Sequence, residues 1–149
     1  MPAAVAVEVK SDAGLASALR SSIQRLSRQI RWQRADDTEL TANQMGVLGA
    51  LNRHGSMTVG ELAVHEKVKP PSMTRIVSNM EAAGLVLRTP RDTDKRQVQV
   101  ELTPSAVRLI AANRRRRDEW LKTKLKALTP EEREILRRAA PVLERLAAA

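Results

Sequence analysis

Residues 70–103 read PPSMTRIVSNMEAAGLVLRTPRDTDKRQVQVELT, and the hydrophobic period changes inside this stretch. In its first half Met73, Ile76, Val77 and Met80 recur at helical spacing, and Gly84 supplies a stop. Pro70 and Pro71 cannot continue an earlier helix but are tolerated in a first helical turn, so a new helix starts here. After Gly84 the period shortens to two. Leu85-Val86-Leu87-Arg88-Thr89 and Val98-Gln99-Val100-Glu101-Leu102 read as short strands, the second alternating cleanly. The polar run from Pro90 to Arg96 between them predicts a β-hairpin with a basic tip.

Upstream, Thr58-Val59-Gly60-Glu61 has the form of a capping box and opens a short helix with Leu62 and Ala63 inside. Thr41-Ala42-Asn43-Gln44 is a second such box, ahead of a helix that buries Val47, Leu48 and Leu51 and stops near Gly55. Asp36 and Asp37 fall in a loop. Before it, Leu15, Leu19, Ile23, Leu26 and Ile30 form the stripe of a long amphipathic helix whose other face carries Arg20, Arg25, Arg28, Arg31 and Arg34. Residues 1–12 show no period, and a disordered N-terminus is expected there. Downstream, Thr103-Pro104 restarts a helix that runs to about Leu128, and Thr129-Pro130-Glu131-Glu132 caps a last one, which Pro141 should bend or break.

The expected fold is mainly α with a small β-hairpin wing: a winged helix-turn-helix between long N- and C-terminal helices. Residues 13–149 are expected to form one domain, with the terminal helices over 13–35 and 104–149 and the winged helix-turn-helix over 41–103.

Composition narrows the chemistry. The 149 residues hold two tryptophans, no other aromatics and no cysteine, and 26 Lys and Arg against 17 Asp and Glu leave a net charge of +9. The core must be aliphatic, and disulfides, thiolate-zinc sites and a cysteine switch are excluded. Two histidines do not suggest a metal site, and no cofactor is expected. No segment approaches the ~20 apolar residues of a membrane span, and the first ten residues lack a basic signal-peptide start. A cytoplasmic protein with a polyanionic partner is the expectation. The charge is blocky. Residues 20–34 hold five arginines and no acid, 67–96 hold seven basic and three acidic residues, and 108–126 eight basic and two acidic.

The helix starting at Pro70 has the form of a reading helix. A helix fits the major groove, and short polar side chains near its N-terminus reach base edges. Period places Ser72, Thr74, Arg75, Ser78 and Asn79 on its outer side, and Arg75 is the one able to bridge guanine O6 and N7. In the hairpin, Arg91, Lys95 and Arg96 suit an adjacent minor groove, whose negative potential attracts arginine. Lys67, Lys69 and Arg88 suit the phosphate backbone, or are surface charge.

The chain resembles the MarR-type transcriptional regulators. The resemblance rests on Met57-Thr-Val-Gly-Glu-Leu-Ala63, Pro71-Ser-Met-Thr-Arg-Ile-Val77, Glu81-Ala-Ala-Gly-Leu-Val-Leu-Arg88 and Asp94-Lys-Arg-Gln-Val-Gln-Val-Glu-Leu-Thr103. In order and spacing it covers about residues 15–147. It implies an obligate homodimer, with 13–35 and 104–149 as dimerisation helices and 41–103 as the DNA-binding region, on a pseudo-palindromic duplex, usually a repressor, often released by a small molecule. It implies that Ser72, Thr74 and Arg75 touch the major groove. Asp94 and Arg96 match the family's Asp-x-Arg wing, where the arginine enters the minor groove and the aspartate orients it. Thiol-sensing branches use a cysteine near the first helices, which this chain lacks.

Some residues stay open between readings. The helix after Thr103 has the stripe Val107, Ala111, Arg114, Asp118, Leu121, Leu125, so Arg114 and Asp118 interrupt it as an opposite-charge pair at i, i+4. The pair is either a partly buried ion pair setting dimer register or, with Trp32 and His54, part of a pocket for an acidic or phenolic effector. Trp32 and Trp120 either pack at the dimer junction or stack on a ligand. His54 and His65, on different helices, read as surface or satisfied residues. A basic RNA- or nucleoid-binding protein without sequence specificity is the alternative function. An enzyme is disfavoured, because the chain has no Gly-rich phosphate loop, metal cluster or nucleophile–base pair.

Overall fold

The computed structural model describes residues 9–34, 40–94 and 96–149. The expectations for residues 1–8, for the loop at Asp36 and Asp37, and for Lys95 lie outside these residues. In chain order the elements are α1 (Asp12–Trp32), α2 (Ala42–His54), β1 (Met57–Thr58), α3 (Val59–His65), α4 (Pro70–Ala82), β2 (Val86–Pro90), β3 (Val98–Leu102), α5 (Pro104–Lys126) and α6 (Pro130–Ala148). They fall into a central unit, Ala35–Arg114, and a terminal unit built from the chain up to Arg34 and from Arg115–Ala149. Among the described residues no helix is long and apolar enough to cross a membrane.

The central unit carries the buried core. Val47, Leu48, Ala50 and Leu51 of α2 meet Leu62 and Ala63 of α3 and Met73, Val77 and Met80 of α4; Leu85, Val86, Val100 and Ala106 complete it. With no aromatic ring available, methionine fills the irregular gaps between helices. Fully burying each such side chain contributes about 1.5–3 kcal/mol. Both expected capping boxes form: Thr41 Oγ1 accepts from the Gln44 amide, Thr58 Oγ1 from the Glu61 amide, each at 3.1 Å, and each N3 side chain accepts from its cap's amide in return.

The sheet has a strand that sequence reading does not find. β1 pairs antiparallel with β3 (Met57 opposite Val100), giving the order β1-β3-β2, with Arg88 opposite Val100 on the other side. Two residues are too few to show a period of two, and β1 exists only because β3 offers an edge.

Thr103 joins hairpin to helix. Its Oγ1 donates to the Gly84 carbonyl at 2.7 Å and accepts from the Ala106 amide at 3.1 Å, so one hydroxyl caps α5 and holds the end of α4. This cap also sets the phase of α5. Ala106 is fully buried and Asn113 nearly so, whereas Val107 is half exposed. At three positions of the expected stripe the inner residue is therefore the one before, Ala106, Asn113 and Arg117, while Ala111, Leu121 and Leu125 are half-buried as the spacing predicts. Arg114 and Asp118 are exposed, no ion pair joins them among the described residues, and Arg117 is half-buried in their place.

In the terminal unit α1 begins at Asp12, capped by Ser11, whose Oγ accepts from the Gly14 amide at 3.1 Å. Helix α6 does not break at Pro141; it continues to Ala148. The missing amide frees only the carbonyl four residues back, at Arg137, and Arg137 and Pro141 are both solvent-exposed, so water can satisfy it. Neither α1 nor α6 has a buried residue.

Candidate nucleic-acid interface

Two turns of the same type aim α4. The amides of Lys67 and Val68 donate to the carbonyls of Val64 and Ala63, and those of Gly84 and Leu85 to Glu81 and Met80. Each is a Schellman stop, which needs a left-handed residue after the helix. Gly84 adopts it with φ 75°, and before α4 Lys67 adopts it with φ 54°. Lys67 and Lys69 are exposed there, beside the Pro-Pro start of α4.

On α4 the inward side is Met73, Val77 and Met80, with Ile76 half-buried, and all five expected outer residues are exposed. They fall into two groups. Ser72, Arg75 and Asn79 stand at i, i+3 and i+7, within about 60° of helix surface. These three make no side-chain hydrogen bond among the described residues. Thr74 and Ser78 flank the other side, and both are engaged. Thr74 Oγ1 donates to the Pro70 carbonyl at 3.0 Å and Ser78 Oγ to the Thr74 carbonyl at 2.9 Å.

The wing arginines separate in the same way. Arg88, expected at the backbone or on the surface, instead turns onto α4: its Nη2 donates to Ser78 Oγ at 2.6 Å and to the Thr74 carbonyl at 3.3 Å. Its amide donates to Glu81 Oε2 at 3.2 Å. Arg91 turns toward α3, donating to Glu61 Oε1 at 2.9 Å and to Gln97 Oε1 at 3.2 Å. Arg96 alone of the three projects, its side chain 94% exposed. Asp94 holds its base, accepting from the Arg96 amide at 3.0 Å and from Nε at 3.4 Å.

Glu61 thus has two tasks. It completes the box on Thr58 and receives Arg91. The hydrogen bond from Arg91, then that from the Thr58 amide, holds its carboxyl below the usual 4.5. Sequence reading identifies the first task from local spacing, but has no signal for a partner thirty positions away. The same holds for Ser78 and Arg88.

The residues assigned to an effector pocket are described in different units. Trp32, 70% exposed, belongs to the terminal unit, and His54 and Arg114, both exposed, to the central one. His54 lies edge-on to His65 with ring centroids 5.3 Å apart, and His65 Nδ1 is 3.4 Å from Glu66 Oε1. Within the terminal unit, α1 and α6 border a groove of about 690 Å³ lined by Ile23, Leu26, Ile30, Leu143 and Leu146, with Arg31 and Arg117 at it.

Comparison with known proteins agrees with this architecture. Residues 40–98, from the start of α2 into β3, match the model of the MarR family. An HTH-type transcriptional regulator of Mycobacterium bovis is 44% identical over 133 residues, spanning 89% of this chain and 92% of that protein. The HTH-type transcriptional repressor MdtR of Bacillus subtilis is 33% identical over 98 residues, 64% of this chain and 63% of that one. The solved structure of a MarR family protein from Bacillus stearothermophilus superposes with a TM-score of 0.74 at 26% identity, covering 92% of this chain and 95% of the other. A helix-turn-helix with an exposed polar outer face on α4, a hairpin wing with a held arginine, and relatives alike over nearly the whole length make one conclusion: the chain belongs to the MarR family of DNA-binding transcriptional regulators.

Proposed function

We propose that the protein acts, without catalysis, as a homodimeric repressor that binds a pseudo-palindromic operator and is released by a small acidic or phenolic effector. The observation that carries the DNA reading is the state of two arginines. Arg75 is exposed on the outer face of α4 and makes no side-chain hydrogen bond or ion pair among the described residues, and Arg96 projects from the wing with its base fixed by Asp94. Each protomer would lay α4 in a major groove, about one helical turn from its partner's, and reach a flanking minor groove with Arg96. Lys67 and Lys69 stand in the turn before α4, where phosphates would pass.

The dimer reading rests on the terminal unit. Ile23 and Leu26 of α1 are 47% and 44% exposed, and Ile135 and Leu146 of α6 are 64% and 62% exposed. Apolar stripes this open on two long helices, bordering one groove, are costly in water and suit a second copy of the same helices. Repression is supported by the name of the MdtR relative. For the effector, Arg114 remains the proposed acid-binding residue, and its exposure leaves it accessible. Operator release by a small aromatic acid, compared in wild type and Arg114→Ala, checks that role; equal responses remove it.

Selection of binding sites from a random duplex library tests the proposal as a whole. A two-fold consensus with half-sites about 10 base pairs apart is expected, with a preference over random duplex of at least ~10³ at fixed salt. Binding without a consensus would favour a general nucleoid or RNA binder instead.

A further inference from the structure

Arg88 carries the only guanidinium among the described residues that bonds to the outer side of α4. We infer that Arg88 is a positioning residue for operator reading: it locks the wing to α4 through Ser78 and Thr74, and leaves base reading to Ser72, Arg75 and Asn79. The inference rests on the DNA reading above and sharpens it by dividing the five outer residues of α4 into readers and braces.

Three observations support the division. The first is occupancy. The Ser78 hydroxyl spends its hydrogen on the Thr74 carbonyl at 2.9 Å and receives Arg88 Nη2 at 2.6 Å, so no hydrogen is left over to offer a base. Thr74 likewise donates inward at 3.0 Å, and its carbonyl takes both Ser78 and Arg88. The second is the state of Arg88 itself. Its Nη2 donates to Ser78 and Thr74 and its backbone amide to Glu81, so both main chain and side chain of this β2 residue are fastened to α4. The third is a matching tie further along the wing, where Arg91 bonds Glu61 at the start of α3. With the middle of the first wing strand and the residue just past its end both fastened to the helix-turn-helix, the angle between α4 and the wing is fixed before DNA arrives. Specificity then depends on geometry, because major-groove and minor-groove contacts must be made at one spacing.

Salt dependence separates a brace from a phosphate contact. Each lost phosphate contact lowers the salt slope of log K by about 0.9, and lysine serves a phosphate nearly as well as arginine. Both bonds come from Nη2, which the rigid guanidinium holds in place; the lysine ammonium ends one atom short of that position, on a flexible stem. Affinities of wild type, Arg88→Met and Arg88→Lys would be measured by fluorescence anisotropy on a duplex selected by the wild type, and on a random duplex, over a range of salt. Both variants are expected to bind the selected duplex about tenfold more weakly, with the salt slope and the random-duplex affinity unchanged. Near-wild-type binding by Arg88→Lys, together with a slope lowered by about one in Arg88→Met, would overturn the inference.

Ser78→Ala gives a second reading that does not require the Arg88 variants to fold. A repeat selection with it should return the wild-type consensus at every position, from a weaker binder; relaxed preference at one position would make Ser78 a reader and overturn the division. The brace can also be read without DNA. A double-mutant cycle of Arg88→Met and Ser78→Ala in urea unfolding should show coupling, and its absence would overturn the brace. If the wild type selects no consensus while the cycle shows coupling, the operator reading has failed and the brace has not.

Discussion

Asp94 Oδ1 accepts both the backbone amide and the side-chain Nε of Arg96, at 3.0 and 3.4 Å, while the Arg96 side chain stays 94% exposed. The arginine is held at its base and open at its tip. Ordering a free arginine on binding costs up to about 2 kcal/mol of rotamer entropy, and a residue already held at Nε loses less. Asp94→Ala should therefore act through Arg96. Both Asp94→Ala and Arg96→Ala are expected to weaken binding most on sites with A·T-rich flanks, Arg96→Ala more strongly. Titration of paired duplexes differing only in their flanks checks this. Losses independent of flank would exclude minor-groove insertion. Because the pair is exposed, the unfolding midpoint should barely move.

Arg75 is the long donor in the free stripe of α4. Arg75→Ala is expected to cost ~1–3 kcal/mol of operator binding and to relax preference at one position of each half-site. Repeating the selection with the variant measures it. A uniform loss across all positions would reassign Arg75 to the backbone.

Lys67 is a non-glycine residue at φ 54° in a Schellman stop whose counterpart after α4 is Gly84. A left-handed conformation costs an ordinary residue about 1–2 kcal/mol, and glycine's extra chain entropy returns about 0.5–1 of that. Lys67→Gly should raise stability by up to about 1 kcal/mol in urea unfolding. It should also lower the salt slope of DNA binding by about 0.9, as loss of one phosphate contact does. An unmoved or lower midpoint would refute the backbone account, and an unchanged slope the phosphate contact.

The Glu61 carboxyl is held below its usual 4.5 by Arg91 and by the Thr58 amide. A carboxyl depressed on folding contributes stability that is present above its unfolded pKa and lost as pH falls through its folded value. Glu61→Gln keeps an acceptor for the Thr58 amide but removes the charge. Wild type should therefore lead Glu61→Gln in melting temperature at neutral pH, and the gap should close as pH falls below 4.5 toward and through the folded value. A gap constant from about pH 6 to about pH 3 would show that the ion pair with Arg91 contributes nothing.

Ile23 is 47% exposed on α1, in the groove shared with α6. Ile23→Arg leaves the buried core of the central unit untouched and places a charge in the proposed seam. Sedimentation should show the dimer shifted to monomer at micromolar concentration, with operator affinity falling alongside. A variant that stays dimeric would locate the seam elsewhere.

Much of this was legible in the sequence because it is local. Three S/T-x-x-E/Q boxes, at Thr41, Thr58 and Thr129, all form as read. The outer residues of α4 follow from the period of Met73, Val77 and Met80. The Asp94–Arg96 contact spans two residues. The readings that changed depend on what lies far along the chain. Arg88 and Arg91 look like free wing cations until Ser78 and Glu61 are brought beside them. In α5 the Thr103 cap buries Ala106 in place of Val107, and Arg117 rather than Arg114 is half-buried, whereas Ala111, Leu121 and Leu125 stand as the spacing predicts. Pro141 predicts a bend or a break, and the helix runs on through it, since water can satisfy the freed carbonyl.

By itself, then, the sequence determined the order of helices and strands, their caps, the side of α4 that faces outward and the family. These depend on hydrogen bonds and periods within about four residues, which composition and spacing encode directly. Which of the wing arginines project and which are already bonded follows from packing between distant segments. That depends on partners ten positions apart for Arg88 and Ser78 and thirty for Arg91 and Glu61, which meet only when the hairpin folds back on the helix-turn-helix.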